Sequence, residues 1–73
     1  MNQPLETIDW GKHIGNKVDF LRPGYLEKKW RQGRIIRLSE KSDPLYCVIV
    51  VGEDGKEYAI DVNIALSFII LLT

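Results

Sequence analysis

The dipeptide Asp54-Gly55 lies between two runs rich in β-branched and aromatic residues, LYCVIVV and KEYAID. Asp-Gly in this setting is typical of a type I′ turn that joins two antiparallel strands. A tight hairpin of this kind fixes two neighbouring strands of a sheet. Short β segments separated by turn residues occupy the rest of the chain from Asn16 onward. The sequence therefore predicts an all-β fold.

Three further β segments complete the predicted sheet. They are NKVDFLR at 16–22, WRQGRIIRL at 30–38 and LSFIILL at 66–72. Gly33, inside the second of these, indicates a bulge or a tight bend. Such a bend is required if Ile35 and Leu38, three residues apart, are both to point inward. The segment VNIA at 62–65 predicts a single 3-10 turn before the last strand.

Five short strands with a helical turn before the last one predict an SH3-like barrel. The chain of 73 residues is one domain at most, with an N-terminal arm at residues 1–15 and the barrel at residues 16–73. An OB-fold is the competing five-stranded architecture. It usually has longer strands and a helix between the third and fourth, where this chain has only a tight turn.

Side chains that could hold a metal or form a disulfide are few. Cys47 is the only cysteine and His13 the only histidine, so an internal disulfide and an ordinary zinc site are both excluded. Cys47 lies in an apolar run and is expected to be a small buried residue. No cofactor is predicted.

The chain has no pattern typical of membrane insertion or export. Its longest apolar run, ALSFIILL at 65–72, is much shorter than the roughly 20 residues of a membrane helix. The first residues, MNQPLETIDW, lack the positive and apolar regions of a signal peptide. The sequence predicts a cytoplasmic protein without membrane insertion.

The formal net charge of zero hides an uneven distribution of charge. Residues 17–41 hold eight Lys or Arg against three Asp or Glu, whereas residues 42–73 hold one lysine against five acids. Cations and aromatic residues alternate around the first loop and the second strand. They predict a partner-binding face made of Arg22, Tyr25, Lys28, Lys29, Trp30, Arg31, Arg34 and Arg37. The alternative is that Trp30 packs over one end of the barrel and the arginines are ordinary outward residues.

Two strands, LYCVIVV and LSFIILL, are apolar on both faces. A small barrel buries only one face of each strand, so something must cover the other face. The cover is either the N-terminal arm, through Leu5, Ile8, Trp10 and Ile14, or a second chain. The predicted assembly face, which favours a homo-oligomer or a subunit of a complex, consists of Val48, Val50, Ile69 and Leu71.

Several stretches resemble known small barrels. GNKVDFLRP, GRIIRL, YCVIVV and EYAIDVNIAL together are similar to the SH3-like barrels typified by photosystem I subunit IV, over roughly residues 15–70. GRIIRL also resembles the glycine-centred strand of KOW domains, which bind RNA or ribosomal and transcription partners. Trp30 stands where Tudor domains keep an aromatic residue, without the rest of a methyl-lysine cage. The resemblance implies the fold and leaves the functions as candidates.

The sequence offers no convincing catalytic constellation. Asp9 and His13 are four residues apart, but nothing places a serine beside them, and a triad is recognised by its geometry. We therefore expect a non-enzymatic binding or adaptor module. It would dock an acidic protein surface through the basic residues; the alternative is a KOW-like domain that binds RNA or DNA. The near-neutral isoelectric point of about 6.5 favours the protein partner.

Overall fold

The computed structural model describes residues 8–22, 24, 28–39 and 46–72. A 3-10 helix, Trp10–His13, precedes the first strand. The other elements are β1 (Lys17–Phe20), β2 (Arg31–Leu38), β3 (Cys47–Gly52), β4 (Glu57–Asp61), α1 (Ala65–Phe68) and β5 (Ile69–Leu71). The strands form one antiparallel sheet in the order β4-β3-β2-β1-β5. The prediction of an all-β fold with five strands is confirmed.

The sheet is not a closed barrel. In the part of the chain that the structure describes, β4 and β5 are the two edges and do not pair with each other. The short helix α1 follows β4, leads directly into β5 and contacts both strands. The two edges are therefore connected by a helical turn rather than by a hydrogen-bonded ladder.

The predicted helical turn before the last strand is present, since the Ile64 N–H donates to the Asp61 carbonyl and the Ala65 N–H to the Val62 carbonyl, but the helical segment extends further than predicted. The chain turns at residues 62–64 and then forms the α-helical turn α1, so β5 retains only three residues of the predicted segment 66–72. The Asp61 carboxylate accepts a hydrogen bond from the Asn63 N–H at 2.9 Å, which ends β4 in a local turn. Ala65 is then buried in the core, and this packing favours a helical turn over an extended strand.

The β3–β4 hairpin is confirmed, but its turn is not type I′. Gly55 has a φ of +80°, whereas no non-glycine residue in the described ranges has a positive φ. The Gly52 N–H donates to the Lys56 carbonyl, which makes a three-residue loop that ends in a left-handed glycine. The Lys56 N–H and the Tyr58 hydroxyl both donate to the Asp54 carboxylate and hold the pKa of Asp54 below its ordinary value.

The core lies on one side of the curved sheet and includes residues from every strand. Its largest fully buried side chains are Phe20, Ile35, Ile60, Val18, Val48 and Val50. Trp10 from the N-terminal segment is only 3% exposed and belongs to the same cluster, and Ile8 packs against it. The described end of the predicted arm is therefore part of the core of the sheet.

An irregularity in β2 orients its side chains. The register with β3 shifts between Ile35 and Arg37, so a bulge lies at this point rather than at Gly33. Because of the shift, Ile35 is in the core and Leu38 packs against it although they are three residues apart. The same shift leaves Arg34 and Arg37 together on the outer face, opposite Val51 and Ile49 respectively.

The four residues of the predicted assembly face are not exposed on the surface of the single chain. Val48, Val50 and Ile69 are buried within the single chain, and Leu71 packs against the same core. These residues form the inner face of the sheet. These four residues therefore do not provide an exposed face for a second chain.

The outer face of β3 is also buried by the chain itself, since Cys47 and Ile49 are 4% and 7% exposed. Arg37 on β2, opposite Ile49 in the register, reaches across β3 to Glu57 on β4, at 3.1 Å. Since Glu57 lies opposite Val51, the Arg37 side chain crosses the outer face of β3 diagonally, from the row of Ile49 to the row of Val51. No second chain is needed to explain why both faces of β3 are apolar.

Candidate cationic groove

A row of outer-face side chains crosses four strands. Lys17 on β1 lies directly opposite Arg34 on β2, and Arg34 lies opposite Val51 on β3. On the other side of β1, the Leu72 N–H donates to the Lys17 carbonyl at 3.2 Å, which continues the β1–β5 register by one residue. Strand pairing therefore aligns Leu72, Lys17, Arg34 and Val51 across the sheet.

An open groove of about 380 Å³ lies along this row. We call it the cationic groove and define it by the side chains Lys17, Gln32, Arg34, Val51, Glu53 and Leu72. The facing glycines Gly33 and Gly52 also line it. The groove thus combines two cations with apolar side chains, and Glu53 is the one acidic side chain among the described residues that line it.

The two cations of the groove form a like-charge pair across neighbouring strands. Like charges at directly opposite positions destabilise a sheet. The Arg34 guanidinium donates a hydrogen bond to the Gly15 carbonyl, which holds its position but does not neutralise its charge. An anion in the groove would satisfy both cations at once.

Apolar side chains extend this surface along β5. Ile70 lies opposite Asp19, and Asp19 lies opposite Gln32, which makes a second outer row beside the cationic groove. Ile70 and Leu72 are each 46% exposed. They form an exposed apolar strip next to the two cations.

The structure distributes the predicted partner-binding residues over different surfaces. Arg34 and Arg37 are on the outer face, whereas Arg31 lies opposite Phe20, at a position of the inner face. Arg22 is half-buried just after β1. Arg37 is ion-paired with Glu57. Tyr25 lies outside the described residues.

The remaining predicted residues precede β2. Lys28, Lys29 and Trp30 are exposed, with 41% of the Trp30 surface accessible. The alternative prediction that Trp30 packs over an end of the barrel does not fit this exposure, and Trp10 is the tryptophan in the core. Of the seven predicted residues that the structure describes, Arg34 alone lines the cationic groove.

Lys17 was missed by the sequence-based prediction. Alternation in NKVDF indicates that Lys17 points away from the core when Val18 points in. That signal does not say which residue lies opposite Lys17. Its position beside Arg34 depends on the register of β1 with β2, which the sequence does not state.

No family model matches the chain, and no curated protein or solved structure is significantly similar to it. Across the described ranges, no helix is long and apolar enough to cross a bilayer. Within those ranges, no three His, Cys, Asp or Glu side chains are grouped so that they could hold a metal ion.

Proposed function

We propose that this protein is a non-enzymatic binding module that docks an acidic protein partner through the cationic groove. The observation that carries the proposal is the Lys17–Arg34 pair, two cations directly opposite each other on neighbouring strands in an open groove. A carboxylate of the partner would relieve their repulsion and form charge-assisted hydrogen bonds with both. A cytoplasmic location stays a prediction and is consistent with the single buried cysteine.

A protein partner fits the groove better than a nucleic acid. Phosphate backbones are bound by extended positive surfaces, whereas here Glu53 lines the same groove as the two cations. The neighbouring side chains Ile70 and Leu72 are apolar and exposed, which suits a partner that presents apolar residues beside its carboxylates. The formal net charge of zero gives no overall attraction to a polyanion.

One observation favours nucleic-acid binding as the second candidate. Trp30 is exposed and follows the exposed cations Lys28 and Lys29 directly in the chain. An exposed ring beside cations can stack a base while the cations contact phosphates. This surface differs from the cationic groove, so separate variants can test the two functions.

A peptide titration tests the proposed function. A short labelled peptide of alternating Glu and Val is expected to bind, and Lys17→Ala combined with Arg34→Ala should weaken binding by about tenfold or more, since each charge-assisted hydrogen bond contributes roughly 1.5–3 kcal/mol. Fluorescence anisotropy at low salt measures the dissociation constant. The matched control is Arg37→Ala, which removes an outer-face arginine that already has Glu57 as its partner.

The controls separate the two candidate functions. Arg37→Ala should change the affinity for the peptide less than about twofold. A single-stranded RNA or DNA oligonucleotide is the competing ligand, with Lys28→Ala, Lys29→Ala and Trp30→Ala as the triple variant. Absence of peptide binding, or an equal loss in the Arg37→Ala variant, contradicts the groove. Oligonucleotide binding that the triple variant abolishes would support the second candidate instead.

A further inference from the structure

The two edge strands of the sheet differ in charge. One edge strand, β4, carries Glu57 and Asp61. Charged side chains on an edge strand hinder the addition of another strand. The other edge strand, β5, has the sequence Ile-Ile-Leu and no charge. The β5 edge therefore lacks the protection that the β4 edge has.

Hydrogen bonding shows which backbone groups of β5 face away from β1. Phe68 and Leu72 pair with β1, through Leu21 N–H to Phe68 C=O and Leu72 N–H to Lys17 C=O. In an antiparallel ladder the intervening odd-numbered residues direct their N–H and C=O groups to the other side. The Ile69 N–H donates a hydrogen bond to the Ala65 carbonyl. For the Leu71 N–H and C=O, the described part of the chain provides no partner.

Within the chain, one ion pair already joins side chains on two strands that are separated by a third strand. Arg37 on β2 reaches diagonally across β3, from the row of Ile49 to the row of Val51, and contacts the Glu57 carboxylate on β4 at 3.1 Å. A strand added beside β5 would be separated from Lys17 by one strand as well, about 10 Å from it. Leu72 would be the apolar residue on the intervening strand, as Ile49 and Val51 are between Arg37 and Glu57.

We propose that the acidic partner binds as an extended segment that adds a strand to the β5 edge. Its backbone would pair with Leu71, an acidic side chain would lie in the row of Leu72 and contact Lys17, and an apolar side chain would pack on Ile70. Main-chain pairing of this kind supplies affinity while alternate side chains supply specificity. The proposal rests on the proposed function and specifies how the partner is recognised.

A partner of this chemistry fits the edge better than a second copy of the chain. Two β5 edges paired about a two-fold axis would offer no carboxylate to Lys17, because β5 has the sequence Ile-Ile-Leu. The other open edge of a second copy, β4, has its Glu57 engaged by Arg37 of the same chain. An acidic segment from another protein has neither disadvantage.

Peptides methylated on single backbone nitrogens test this binding mode on the unmodified protein. The parent is a short peptide with one central Glu flanked by Val residues, and each residue in turn is N-methylated. If the Glu side chain lies in the row of Leu72, the Glu N–H points away from β5 and makes no hydrogen bond with it. Methylation at Glu should therefore change the affinity less than about twofold, whereas methylation at a residue next to Glu should weaken binding by about tenfold.

The outcomes distinguish this inference from the proposed function. If the parent peptide binds and depends on Lys17 but no methylated position loses affinity, or adjacent positions lose it equally, strand addition is overturned while the cationic groove stands. If the parent peptide does not bind, the proposed function fails as well. Sedimentation of the chain alone is expected to show a monomer. A self-associated species that the peptide dissociates would overturn the choice of partner.

Discussion

Gly33→Ala is expected to destabilise the folded chain by about 2–3 kcal/mol, because the new methyl group has no space. A Cβ at this position would lie 2.6 Å from the Val51 carbonyl oxygen, 2.8 Å from Phe20 Cε1 and 2.9 Å from Val50 Cγ1. The first neighbour is backbone and the other two belong to buried side chains, so none can move away without disturbing the sheet. Urea denaturation followed by circular dichroism measures the loss.

The matched control for Gly33→Ala is Gln32→Ala, the neighbouring position on the same strand. Gln32 is exposed on the outer face, so its replacement should change the free energy of unfolding by less than about 0.5 kcal/mol. Equal midpoints for Gly33→Ala and the unsubstituted chain would show that Phe20 and Val50 do not pack closely against Gly33.

Trp10→Ala is expected to cost about 3–5 kcal/mol, the range for removing a large buried aromatic side chain. Trp10 is 3% exposed and packs in the cluster that includes core residues of the sheet. Small domains have total stabilities near the lower end of about 5–15 kcal/mol, so this variant should be mostly unfolded at moderate temperature. Thermal denaturation by far-UV circular dichroism measures the effect without relying on tryptophan fluorescence.

Trp30→Ala provides the matched control because it removes the same side chain from an exposed position. Its expected effect is below about 1 kcal/mol. Trp10→Phe, which keeps an aromatic ring in the core, should lie between the two. A chain that is as stable with Trp10→Ala as with Trp30→Ala would mean that the N-terminal segment is an independent arm.

Alternation and turn residues in the sequence predict most of the sheet. Val18 and Phe20 are separated by charged Asp19, so the inner face of β1 follows from the sequence alone. The need for a bend between Ile35 and Leu38 is likewise visible in the sequence, and the register shift supplies it. These predictions succeed because polar residues mark which side of the strand faces water.

The same reasoning fails where polar markers are missing. All residues from Cys47 to Val51 are apolar, so the sequence does not say whether Val48 or Ile49 faces the core. The answer depends on β2, whose Arg37 lies opposite Ile49 on the outer face, and on the packing of Val48 opposite Ile60. Tertiary contacts of this kind, together with burial of Ala65, decide what local propensity leaves open.

The cationic groove, too, could be predicted only in part from the sequence. The sequence indicates a basic region that includes Arg34, but it groups Arg31, Arg34 and Arg37 as one face. Strand register separates Arg31 from the other two and brings Lys17 to Arg34 instead. A binding surface that spans several strands depends on pairing between distant segments, which a pattern within one segment does not contain.

Chemical-shift mapping of the ¹⁵N-labelled chain with the Glu-containing peptide tests the cationic groove most directly. The largest amide shifts are expected at Lys17, Arg34, Leu71 and Leu72, with little change at Arg37. Shifts that are largest at Lys28 and Trp30, or that spread along β4 without affecting β1 and β5, would contradict it.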